Sequence, residues 1–156
     1  MILGATASAF AQTPPAPPAR GPAVKLALEA AQAAIDSCTA RQQAISVSIV
    51  DSAGVLKALV AADGVHARGV ASSTSKATTA LSFKTSTKAL SEQAKNDTAL
   101  AERIAANPAF NARAGGVPIL ADGAIIGAIG VGGARGSDID DACALAGLAQ
   151  VQSRLR

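Results

Sequence analysis

His66 is the sole histidine of the chain, and it closely follows Asp63-Gly64, a pair of residues expected to end a strand and open a loop. Loops at strand ends often carry ligand-binding side chains, and haem accepts a single proximal imidazole. His66 therefore has two readings, as the one protein ligand to iron or haem and as a solvated surface residue. A little further on, Ser73-Thr74-Ser75-Lys76-Ala77-Thr78-Thr79-Ala80 sets hydroxyls and one ammonium on a helical segment. Lys76 suits an anionic ligand group such as a propionate, while the plainer reading is a solvated helix face.

Other chemistries have less support. The run Gly130-Val131-Gly132-Gly133-Ala134-Arg135-Gly136 superficially suggests a phosphate loop, yet no Lys-Ser/Thr follows it and it opens no parallel unit. Its glycines are better explained by close helix packing and a sharp exit from a strand. Cys38 and Cys143 match no zinc spacing, and a zinc site would need two further ligands. They leave two options, one disulfide if the first and last helices lie side by side, or two buried thiols. No nucleophile elbow is present for Ser-His catalysis. Asp138, Asp140 and Asp141 suit the positive end of a helix better than an acid and base pair.

The elements that must position these residues follow from composition and periodicity. A chain of 156 residues has the length of one domain, and 49% of it is hydrophobic. Alanine dominates and Phe10, Phe83 and Phe110 are the only aromatics, so the core is built from small aliphatic groups. The net charge of +3 is dispersed with no basic run, which argues against a nucleic-acid partner, as does the lack of stacking aromatics. No stretch has the roughly 18 apolar residues of a membrane span.

Residues 1–11 resemble the end of an export signal, closing on Ala9-Phe10-Ala11, which would make the protein periplasmic or secreted; the other reading is a tail with no signal role. Residues 12–22 hold five prolines and read as an extended linker. From Ala23 to about Ala40 the apolar residues Val24, Ala27, Leu28, Ala31, Ile35 and Cys38 recur at helical steps. Residues 44–51 alternate as a half-buried strand, Ser52-Ala53-Gly54 turns, and residues 55–62 return as a second strand. A helix follows over residues 67–82, then one or two short helices between Lys84 and Asn107. Asp122-Gly123 joins strands 115–121 and 124–132 in a type I′ hairpin. Ser137 is the expected N-cap of a last helix running to about Leu155. The expected fold is α/β of the α+β type. Its antiparallel sheet has four to five strands, with helices mainly on one face and the terminal helices adjacent.

Val50-Asp51-Ser52-Ala53-Gly54, Asp63-Gly64, the Lys76-Ala77-x-Thr79-Ala80 helix, Gly115-Gly116-Val117-Pro118-Ile119 and Gly127-Ala128-Ile129-Gly130-Val131 together resemble the GlcG/HbpS-like family. Their order and spacing extend over about residues 24–155, so residues 23–156 are expected to form a single domain of that kind. The resemblance implies a homo-oligomer and, in several members, binding of haem or iron; some members are exported partners of sensor proteins. It also implies a haem ligand on the central helix or at a histidine, which here marks Thr74, Thr78 and His66, with Lys76 beside them. The leading expectation is an exported, oligomeric binding protein for haem or a similar small ligand. The alternatives are a small-molecule enzyme, for haem degradation or glycolate- or diol-linked metabolism, and an interaction module without a ligand.

Overall fold

The computed structural model describes residues 18–156; the export segment expected over residues 1–11 and the first half of the linker lie outside the described residues. The chain runs α1 (Val24–Thr39), β1 (Ser46–Asp51), β2 (Leu56–Ala61), α2 (Ala67–Phe83), α3 (Thr87–Ala94), α4 (Thr98–Ala105), β3 (Gly116–Ala121), β4 (Ala124–Gly132) and α5 (Ser137–Val151). A short 3-10 turn, Gln152–Arg154, follows α5.

The four strands form one antiparallel sheet in the order β2-β1-β4-β3, so two sequence-local hairpins meet along the central β1/β4 pair. The second hairpin turns as its residues demand. Asp122 and Gly123 both have positive φ, 50° and 76°, as a type I′ turn requires.

Alternation along β1 separates two faces. Val47 and Ile49 join Ala27, Ala31, Ala34, Cys143, Ala144 and Leu148 in the main core, where α1 and α5 pack together against the sheet. A disulfide between Cys38 and Cys143 links these two helices across a Cα–Cα distance of 5.7 Å. The expected adjacency of the terminal helices is present, and of the two readings of the cysteines the bridge is the one observed.

The opposite face carries α2, which corrects the expectation of helices mainly on one face. Ser46 and Ser48 look like the solvent side of a half-buried strand, but both are fully buried beneath α2. Ser73 Oγ of α2 lies 2.8 Å from Ser48 Oγ and 3.2 Å from Ser46 Oγ, which satisfies the hydroxyls without water. Val50, Ala77, Ala80 and Ala128 complete this second, smaller core.

The helix α2 can sit this low because glycines pave the sheet beneath it. Gly116 and Gly130 are cross-strand partners, and a Cβ on Gly130 would strike the backbone of Ser73 and Ala77. A Cβ on Gly116 would meet the Lys76 carbonyl. Backbone therefore rests on backbone, and the path of α2 over the sheet is fixed.

Of the two short helices after α2, α3 is anchored by the buried Thr87 and Leu90, with Thr87 Oγ1 accepting the Gly116 N–H at 2.8 Å, whereas α4 is lightly attached. Ser86 caps α3 through the Ala89 N–H, Asp97 caps α4 through the Leu100 N–H, and α4 has no buried residue. Phe83 and Phe110 meet edge to face at 5.1 Å, with the Arg103 guanidinium 5.3 Å over the Phe83 ring. The last helix also departs from expectation. Gly136 is its N-cap and Ser137 its first residue, with no side-chain cap bond.

Candidate functional site

The start of α2, the Asn111–Arg113 segment and the β4–α5 connection enclose a cleft of about 630 Å³, a size usual for small-molecule sites. His66, Arg68, Ser72 and Lys76 contribute from the α2 side, and Asn111 and Arg113 from the facing segment. Gly133, Ala134, Ser137 and Asp140 close it from the third. No helix among the described residues is long and apolar enough to cross a membrane, and no group of three potential metal-binding side chains occurs among them.

The inner wall is built around a buried ion pair. Lys76 Nζ donates to Asp140 Oδ2 at 2.7 Å and to the Val131 carbonyl at 2.9 Å. The other carboxylate oxygen of Asp140 accepts the Ala134 N–H at 3.1 Å. Burial pushes the lysine pKa down and the aspartate pKa up, while each partner holds the other in its charged form. The charge of Arg113 reaches both, lowering each of the two values.

The outer wall is held by α2 itself. Asn111 donates its backbone N–H to Thr79 Oγ1 at 2.8 Å and its side-chain amide to Ser72 Oγ at 3.1 Å. Asn111 Oδ1 then accepts the Arg113 N–H at 3.1 Å, which sets the direction of the chain where it carries the guanidinium. Arg68 and Arg113 are exposed, and among the described residues neither forms a salt bridge.

The four residues singled out from sequence do not share one place. His66 is exposed at the cleft, where it is the N-cap position of α2 and makes no side-chain cap bond. Lys76 lines the same cleft but is 1% exposed, in contrast to a solvated helix face. Its ammonium is engaged within the protein. Thr74 is on the β1 side of α2, where its hydroxyl lies 2.9 Å from Ser48 Oγ and 3.4 Å from the Val70 carbonyl. Thr78 lines a separate hollow with Gly54, Leu81 and Lys84. Neither threonine lines the cleft of His66.

Arg68, Asn111, Arg113 and Asp140 are the site residues that sequence reading missed. The sequence points to Asp140 as a helix-start charge, and it does lie in the first turn of α5, but it points inward to Lys76. Arg68 stands two residues after His66 in the sequence, so its closeness to that histidine is local. Arg113 has no such signal, because nothing local shows that its segment folds back onto α2.

The architecture is a helix-flanked antiparallel sheet of the α+β class with a cationic cleft at the start of its central helix. Residues 23–149 match the family model described as haem degrading protein HbpS-like, and the chain belongs to that family. The solved structure of a doubly substituted HbpS from Streptomyces reticuli is 30% identical, with a TM-score of 0.78 over 94% of this chain and 97% of that one. A second HbpS structure is 28% identical, with a TM-score of 0.76 over 92% and 97% of the two chains. The PduOC:heme complex shares the fold at 24% identity, with a TM-score of 0.77 over 83% and 94%. No curated protein sequence matches the chain.

Proposed function

We propose that this protein is an exported, self-associating binding protein for haem or a similar small ligand, which it takes up in the cleft at the start of α2. The observation that carries the reading is the sole histidine, exposed at a ligand-sized cleft, in a chain of a family described as haem degrading and HbpS-like. The residues fit such a ligand in two respects. His66 offers a free imidazole for the iron, and Arg68 and Arg113 offer cations on the same cleft. Phe83 and Phe110 pack edge to face elsewhere and are not among its lining residues. Bound haem would supply the redox-active iron, and the protein would position and shield it.

The disulfide between α1 and α5 supports export, since such bonds persist in oxidising compartments. Self-association is supported by the edge strand β2. Leu56 and Leu59 pair with Val50 and Ser48 and so share the α2 face of the sheet, yet they remain 48% and 42% exposed. An edge strand with an uncovered apolar face favours burial against a second copy.

Haemin titration of the purified protein, followed at the Soret band, tests the reading. A saturable shift that weakens in His66→Ala and persists in Thr74→Ala is expected; no saturable shift in the wild type would remove haem as the ligand. The family description also favours a second reading, haem degradation. Loss of the Soret band with release of iron, under reductant and oxygen, would establish it.

A further inference from the structure

We propose that the cleft selects its ligand by a carboxylate group, and that Arg68 and Arg113 are the residues that hold it. The inference rests on the reading of this cleft as the ligand site and adds what the ligand must carry.

Lys76, the cation that the sequence offers for an anionic ligand, is not free to act. Its ammonium is engaged by Asp140 Oδ2 and the Val131 carbonyl, deep enough that the side chain is 2% exposed. Asp140 is likewise closed, with one oxygen on Lys76 and the other on the Ala134 N–H. The pair therefore contributes almost no net charge to a ligand. What remains on the cleft is two guanidiniums and no unpaired carboxylate.

Some cations elsewhere in the described chain sit in surface salt bridges, while others, Lys57 and Lys84 among them, form none. Lys88 lies 3.3 Å from Asp138, Lys95 2.7 Å from Glu92, and Arg154 meets Glu29. Arg68 and Arg113 come from different segments and line one concavity without such a partner. Guanidinium recognises planar oxyanions through paired N–H donors, which makes a carboxylate its matched ligand group. The Asn111 amide and the hydroxyls of Ser72 and Ser137 line the same cleft and can complete the hydrogen bonding.

Two sources of that chemistry exist, the propionates of haem and a free small dicarboxylic acid. Calorimetric titration with haemin, haemin dimethyl ester and succinate separates them, for the wild type and for an Arg68→Ala/Arg113→Ala double variant. Both arginines are exposed, so the variant is expected to fold. The expected result is that the wild type prefers haemin to its ester by on the order of tenfold or more, and that the preference disappears in the variant. Binding of succinate without haemin, lost in the variant, would remove haem as the ligand and leave the carboxylate site standing. Equal binding of haemin and its ester, unchanged in the variant, would overturn the carboxylate site and leave haem binding intact. If none of the three binds, both fall.

Discussion

Lys76 Nζ and Asp140 Oδ2 are 2.7 Å apart, with side chains only 2% and 5% exposed, and they join the central helix to the last one beneath the cleft. Removing one partner from a buried pair leaves an uncompensated charge. Lys76→Met is expected to cost about 3–5 kcal/mol by denaturant unfolding, whereas replacing both residues with apolar ones of similar volume costs far less. Equal losses in the single and double variants would show that the pair is not the source.

The same variant has a pH signature. In the wild type, burial raises the Asp140 pKa and Lys76 opposes that rise. Without the lysine the carboxyl is raised further, so the folded state favours its protonated form. For a group whose folded pKa is raised, the contribution to stability is present below the unfolded value, about 3.9, and is lost as pH rises through the folded one. The deficit of Lys76→Met should therefore grow from acid toward neutral pH. Unfolding midpoints measured across that range check the sign, and a deficit that shrinks toward neutrality contradicts it.

Gly130→Ala tests the seat of α2. The new Cβ would press into the Ser73 carbonyl and the Ala77 amide, neither of which is a flexible side-chain end. Overpacking of this kind costs about 1–3 kcal/mol or more. Thermal unfolding should show the loss, and any ligand affinity should fall with it because α2 carries His66 and Arg68. A variant of unchanged stability would mean that the helix does not rest directly on the Gly130 backbone.

Cys38 and Cys143 lie 105 residues apart, a separation for which the chain-entropy model predicts about 4–5 kcal/mol of stabilisation. The double serine variant should melt lower than the oxidised wild type and match the reduced protein. Intact mass with and without reductant gives the independent check, a gain of two hydrogen atoms on reduction.

Leu59→Asp places a charge on the apolar side of β2 that α2 leaves open. If that face joins copies of the chain, the variant should elute as a smaller species than the wild type at the same concentration. Identical elution would move the contact elsewhere.

The strands and helices were legible because their signals are local. Asp122-Gly123 could specify its turn alone, and the recurrence of Ala27, Ala31, Ile35 and Cys38 could specify one helix face. The layer arrangement was not, because Ser46 and Ser48 have the same pattern whether they face water or the hydroxyl of Ser73. Composition also hid the cleft. Lys76 looks like a free cation until Asp140, 64 residues later, is brought to it, and Arg113 joins His66 only through the Asn111 bonds to α2. What could be read was His66 at the mouth of a loop; what could not was which neighbours would share its cavity.

The bridge between α1 and α5 has one more outcome. Every peptide bond from Cys38 to Cys143 belongs to a covalent ring that includes the whole sheet and the shallow helix α4. A protease that nicks this ring at α4 releases no fragment, and the cut molecule, heavier by one water, stays one covalent unit until it meets a reductant. In an oxidising milieu, cleavage there and loss of the protein become separate events.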